Sequence, residues 1–276
     1  MNQVAVDRII KNALIEDIGT GDVTTEATIQ PGTSTRAQFV AKEDFLLAGI
    51  NVAGRVFRHL DATTAYEPLI QDGQSVKRGE VLAWIKGDAA MLLQAERVAL
   101  NLLQRMCGVA TLTAQFVAAV EGTDAVVVDT RKTTPGLRML EKYAVQMGGG
   151  GNHRMALYDG VLIKENHVAA AGGISAAVSR ARQNVPHTLK VECEVRDLDE
   201  VAEALDAGAD ILLLDNMTLE QLRAAVDLVD GRAVTEASGG VNLETVRDIA
   251  ETGVRLISVG ALTHSYRSVD ISMLFA

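Results

Sequence analysis

Five basic residues crowd into one stretch of the chain: Arg131, Lys132, His153, Arg154 and Lys164. Guanidinium and ammonium groups bind carboxylates and phosphates, the guanidinium through a planar two-pronged fork. From Asp129 to His167 there are six Lys and Arg against four Asp and Glu, so this segment is +2 inside a chain of net charge -10. A local positive site in an acidic protein suits a small anionic ligand. A nucleic-acid surface calls for a basic balance or aromatic and basic runs together, and neither is present. Glu194 and Asp215 are carboxylates suited to Mg²⁺ or to sugar hydroxyls. Ser238-Gly239-Gly240 and Gly260-Ala261 are small residues whose backbone N–H groups can cradle a phosphate at a helix N-terminus. The run GGGGNHR (148–154) brings in His153 and Arg154 behind four glycines, a flexible approach that lets backbone come close to a ligand.

The elements that must hold these residues are legible after residue 108. Short apolar runs recur at 125–129, 160–164, 189–195, 210–216, 232–238 and 255–260, and the last four begin 21 to 23 residues apart. Amphipathic helical stretches ending in Gly lie between them, the pattern of βα units on a parallel sheet. Six such repeats predict an incomplete α/β barrel, and no GxGxxG follows a strand to suggest a dinucleotide fold. In such barrels the chemistry sits at the C-terminal ends of the strands. Those ends carry Asp129 to Lys132, Lys164, Glu192 and Glu194, Asp215, Glu236 to Gly240 and Gly260-Ala261. Buried unpaired charge costs several kcal/mol, so these groups face a polar cavity or one another.

Residues 1–108 read as a mixed α and β domain, with a helix over 3–16 and strands over 35–41 and 80–86. The stretch DGQSVKRGEVLAWIKG has the turn spacing of a small β-barrel or hammerhead module, without a modifiable Lys in the usual hairpin setting, and reads as structural. A helix over 91–107 puts Leu92, Ala95, Ala99, Leu102 and Met106 on an apolar face and Gln94, Arg97, Asn101 and Gln104 on a polar stripe. The two cysteines, Cys107 and Cys193, sit in apolar patterns with no CxxC spacing, so structural zinc is not expected. No run approaches the ~20 apolar residues of a membrane helix, and the first residues lack an apolar signal core. The cytoplasm is the expected compartment.

DTRKTTPGLR (129–138), GGGGNHR, DGVLIKENH (159–167), VECEV (191–195), DILLLDN (210–216), EASGGV (236–241) and VGALTH (259–264) together resemble quinolinate phosphoribosyltransferase. EDIGTGDVTT (16–25) and AERVALNLLQRMCGVAT (95–111) extend the resemblance through the chain. It implies an N-terminal α/β sandwich domain, 1–108, and a C-terminal incomplete α/β barrel, 109–276, with the C-terminal tail packing back on the first domain. It implies transfer of phosphoribosyl from phosphoribosyl pyrophosphate to quinolinate, with decarboxylation. It also implies a head-to-tail homodimer, or a higher even-numbered oligomer, in which Arg97 reaches into the partner's site. Thr130, Arg131, Lys132, His153, Arg154 and Lys164 would bind quinolinate and phosphate groups. Glu194 and Asp215 would hold the ribose and Mg²⁺, directly or through the substrate. Ser238, Gly239 and Gly240, with Val259, Gly260 and Ala261, would bind the 5′-phosphate. Lys132, Glu194 and Asp215 are the catalytic candidates. A phosphoribosyltransferase of the same fold with a different acceptor is the alternative.

Overall fold

A computed structural model describes residues 1–276. The chain begins with α1 (Gln3–Ile18), α2 (Val23–Thr28), β1 (Ser34–Ala41), β2 (Phe45–Leu46), α3 (Ile50–Leu60), β3 (Ala65–Pro68), β4 (Ser75–Val76), β5 (Val81–Asp88) and α4 (Ala89–Ala119). It continues with β6 (Val126–Val128), α5 (Arg138–Met147), β7 (Val161–Ile163), α6 (Glu165–Ala171), α7 (Ile174–Asn184), β8 (Val191–Val195) and α8 (Leu198–Asp206). It ends with β9 (Ile211–Asp215), α9 (Leu219–Val229), β10 (Val234–Ser238), α10 (Val246–Ala250), β11 (Leu256–Ser258), α11 (Ala261–His264) and β12 (Ile271–Phe275). Two compact units emerge. The first comprises 1–114, 134–149 and 265–276, and the second 115–133 and 150–264. No helix is long and apolar enough to cross a membrane.

In the first unit β12, β1, β5 and β3 form an antiparallel sheet in that order. Alternation along β1 buries Ala37, Phe39 and Ala41. The buried face of α3 meets this layer, with the Phe39 and Phe57 rings 5.9 Å apart and Phe57 and Tyr66 6.3 Å apart. The Tyr66 hydroxyl donates to the Ile50 carbonyl at 2.8 Å, which satisfies a buried polar group. The hammerhead-like stretch is not a module of its own. β4 pairs with β2 while β5 lies in the larger sheet.

The polar and apolar stripes of α4 fall as the spacing predicts, but the helix runs well past residue 107. Gly108 looks like a stop, yet it is a contact. A Cβ there would overlap the Arg267 carbonyl. The β-branched Thr111 and Thr113 are accommodated because their hydroxyls donate to the carbonyls of Cys107 and Val109 at 2.7 and 2.8 Å.

In the second unit β7, β8, β9, β10, β11 and β6 form one parallel sheet in that order. The first strand of the unit therefore pairs with the last, and the barrel stays open between β6 and β7. Gly151 makes an isolated parallel bridge to Val128 along that open edge. Apolar residues of alternate parity, such as Cys193, Leu212, Leu214, Ala237 and Ile257, are buried between strands and helices. The opposite parity carries the polar residues discussed below. Asp197 caps α8, and Thr218 with Gln221 forms a reciprocal cap on α9.

Candidate active site

Period-two alternation gives β7 to β11 one inward face: Leu162, then Glu192 and Glu194, Leu213 and Asp215, Glu236 and Ser238, and Ser258. Cα register aligns Glu194 with Leu213 and Glu236, and Asp215 with Ser238. The upper part of this face opens into a cavity of about 530 Å³. Thr130, Arg131, Lys132, His153, Arg154 and Lys164 line it together with Glu194, Asp215, Ser238, Gly239 and Gly240. The lining belongs wholly to the second unit.

The remaining expected residues lie elsewhere. Arg97 is exposed on α4 in the first unit. Val259 is buried, and neither it, Gly260 nor Ala261 lines the cavity. Ser258 takes the inward place on β11 instead. Gly260 still bears on the site, because a Cβ there would sit 2.9 Å from the Lys132 side chain. The Lys132 loop is fixed by its own backbone. Its N–H donates to the Thr130 hydroxyl at 3.0 Å, and its carbonyl accepts from Thr263 at 2.8 Å.

Opposite charges face each other across the strand ends. Lys164 Nζ lies 3.1 Å from Glu194 Oε2. Asn216 donates to Asp215 at 2.8 Å. Asn216 has φ +54°, its own N–H donates to the Ser238 carbonyl at 2.9 Å, and its carboxamide occupies the place of a Cβ on Gly239. Burial, with the Arg131 charge beside it, lowers the Arg154 guanidinium from its ordinary value. Two guanidiniums held near each other favour an anion between them.

Packing and backbone conformation account for three glycines of the run. A Cβ on Gly148 would overlap Ala110 and Thr113, Gly149 has φ +85°, and Gly151 lies against Val128. Behind the run, the buried Asp129 carboxylate accepts from Asn152 Nδ2 at 2.6 Å and from the His153 N–H at 2.9 Å. His153 Nε2 points to Glu192 Oε2 at 3.0 Å and Glu236 Oε1 at 3.6 Å. Burial first, and then the Glu192 carboxylate, push the Glu236 acid up to about 7. Sequence reasoning placed Glu192 and Glu236 at strand ends without giving them a role. The signal was there: each lies two residues before an expected site residue, and so on the same face of its strand.

Comparison with known proteins finds relatives of both halves of the chain. The family model described as quinolinate phosphoribosyl transferase, N-terminal domain, matches residues 22–107, and its C-terminal counterpart matches 109–274. The chain is 44% identical to a probable nicotinate-nucleotide pyrophosphorylase (carboxylating) of Bacillus subtilis, over 99% of this chain and 94% of the relative. It is 44% identical to the chloroplastic nicotinate-nucleotide pyrophosphorylase (carboxylating) of Arabidopsis thaliana, over 96% and 81%. The crystal structure of NadC from Streptococcus pyogenes superposes with a TM-score of 0.96 at 40% identity, covering 100% of this chain and 98% of that one. Matches of this extent to both halves, together with the open barrel and its cationic cavity, show that the chain belongs to the quinolinate phosphoribosyltransferase family.

Proposed function

We propose that this chain transfers phosphoribosyl from phosphoribosyl pyrophosphate to the ring nitrogen of quinolinate. The 2-carboxylate leaves as CO₂, giving nicotinate mononucleotide and pyrophosphate, a step of NAD biosynthesis. One observation carries the reading within the family. A single cavity joins Arg131, Lys132, Arg154 and Lys164 to the carboxylates Glu194 and Asp215 and to the small residues Ser238 to Gly240. Cations suit the two ring carboxylates, carboxylates suit sugar hydroxyls, and exposed backbone N–H groups suit a phosphate.

Arg131 and Arg154 hold the ring carboxylates and aim the ring nitrogen at C1 of the sugar, and such positioning contributes several kcal/mol. Glu194 and Asp215 accept from the ribose hydroxyls and stabilise positive charge as the C1–pyrophosphate bond lengthens. Lys132 and Lys164 neutralise departing or developing anions. Backbone N–H groups at Ser238 to Gly240, which line the cavity, take the 5′-phosphate. Once the nitrogen is ribosylated the cationic ring accepts the electron pair left by CO₂, and a proton then replaces the carboxylate. Lys132 is the group assigned to the charge at that carbon.

Glu194 and Asp215 fit Mg²⁺, since both are oxygen donors lining one cavity. Bound there with substrate oxygens, the ion would supply charge neutralisation for the leaving pyrophosphate. We assign a homodimer in which the exposed Arg97 of one chain completes the partner's quinolinate site. We assign the cytoplasm as its compartment.

The test is CO₂ release from carboxyl-labelled quinolinate with phosphoribosyl pyrophosphate and Mg²⁺, against a control lacking the donor. Donor-dependent release supports the reading. No release from folded protein overturns the acceptor, and nicotinate and other pyridine or purine acceptors are then tried.

A further inference from the structure

Both ring nitrogens of His153 are engaged by the protein. The Arg154 backbone N–H points at Nδ1 from 2.7 Å. An amide N–H can only donate, so Nδ1 presents its lone pair and the ring proton belongs on Nε2. Nε2 in turn faces Glu192 Oε2 at 3.0 Å, with Glu236 Oε1 behind it at 3.6 Å. The ligand atoms of these three residues lie within 4.8 Å of one another, a spacing that would suit a cation. The proton on Nε2 argues against that use, because the lone pair a metal needs is not there.

The two acids are deeply placed, Glu192 at 4% and Glu236 at 1% exposure, and Oε1 of each lacks a hydrogen-bond partner. Such a pair is costly to bury and is easier to understand where it positions something. What lies downstream of it is Arg154. Its Nη1 donates to the Gly160 carbonyl at 2.8 Å, while its Nε is buried without a partner. That open donor belongs to a side chain lining the cavity.

We infer that Glu192 and Glu236 are positioning residues of the acceptor site, which hold His153 as the neutral Nε2–H tautomer and through it set the backbone that aims Arg154. Asp129 holds the same segment from its other side, through the Asn152 side chain and the His153 N–H. In this arrangement His153 contributes orientation and not a mobile proton. The assignment of Arg154 to a ring carboxylate rests on the proposed function, whereas the tautomer does not.

Two measurements test the inference. The first is a long-range ¹H–¹⁵N spectrum of the imidazoles in the substrate-free full chain, with His153 assigned by the signal lost in His153→Gln. An Nε2–H tautomer is expected, and an Nδ1–H ring or an imidazolium at neutral pH overturns the inference. The second is steady-state kinetics of Glu192→Leu and Glu192→Gln. Leaving a buried donor unpaired corresponds to a rise of roughly tenfold to a hundredfold in the KM for quinolinate in Glu192→Leu. The KM for phosphoribosyl pyrophosphate stays near the wild-type value. Glu192→Gln, which keeps an acceptor oxygen, recovers most of the loss. Equal rises in both KM values, or a Gln variant as impaired as the Leu variant, overturn the inference. If the wild-type chain releases no CO₂ from quinolinate, the functional reading fails and the spectrum still decides the tautomer.

Discussion

Replacing Glu236 with Gln is expected to change how stability depends on pH. The folded protein raises this acid from an ordinary 4.5 to about 7, chiefly by burial and then by the Glu192 carboxylate. At 1.36 kcal/mol per tenfold, that difference corresponds to about 3 kcal/mol. A raised value means that the folded state holds the proton more tightly than the unfolded chain. Below pH 4.5 both states are protonated and the contribution is complete. From there to about pH 7 the unfolded chain ionises while the folded protein stays protonated, so stability declines as pH rises. Gln cannot ionise and does not decline. The difference in unfolding free energy, variant minus wild type, should therefore grow by about 3 kcal/mol between pH 4.5 and 8. Asp22, Glu43, Asp44, Asp61 and Glu203 are all lowered by their hydrogen bonds, so they titrate below this window and are common to both proteins. The assay is urea unfolding at a series of pH values, followed by helical circular dichroism because the single Trp84 lies in the first unit. Parallel stability curves for the two proteins would show that Glu236 does not carry a raised acid in the folded state.

Four further outcomes follow from the geometry. Arg131→Ala should raise the KM for quinolinate by roughly tenfold to a hundredfold, the loss of one charge-assisted pair, with no change in melting temperature because Arg131 is exposed. Normal quinolinate kinetics would remove it from the role. If Arg97 serves the partner's site, mixing and re-associating Arg97→Ala and Arg131→Ala chains should recover about a quarter of wild-type activity at a quinolinate concentration low enough that each variant alone is nearly silent, since half the dimers are mixed and each has one intact site; no recovery would favour a site completed within one chain. Gly239→Ala meets a backbone at φ +97° and the Asn216 carboxamide, and should cost about 1–3 kcal/mol by urea midpoint and raise the KM for the phosphoribosyl donor. Arg105→Leu strips the fully buried Glu141 of the guanidinium whose Nε lies 3.1 Å away, and should cost about 3–5 kcal/mol, read from Trp84 fluorescence in the same unit.

The local elements were largely legible. Each apolar run after residue 108 contains a strand, because period-two burial and βα spacing leave a direct trace in the chain. The extent of α4 was not, because Gly108 is there for a close approach to Arg267, and nothing local distinguishes that from a helix stop. Nor was the reason for the glycines at 148–151, two of which answer to neighbours distant in sequence, Ala110 and Val128.

Sequence alone determined the chemical inventory of the site. A cation-rich stretch in an acidic chain, carboxylates at strand ends and small residues at the last strands are properties of residue type and spacing. Tertiary structure decided the rest. Pairing of β6 with β11 leaves the barrel open beside β7, and the parallel bridge of Gly151 to Val128 along that edge leads the chain to His153. Only the register of β8 against β9 and β10 sets Glu192 and Glu236 on one inward face. The physical reason is that hydrogen-bonded register and burial are relations between distant segments. The same two glutamates would be ordinary surface acids on strands that did not close around a histidine.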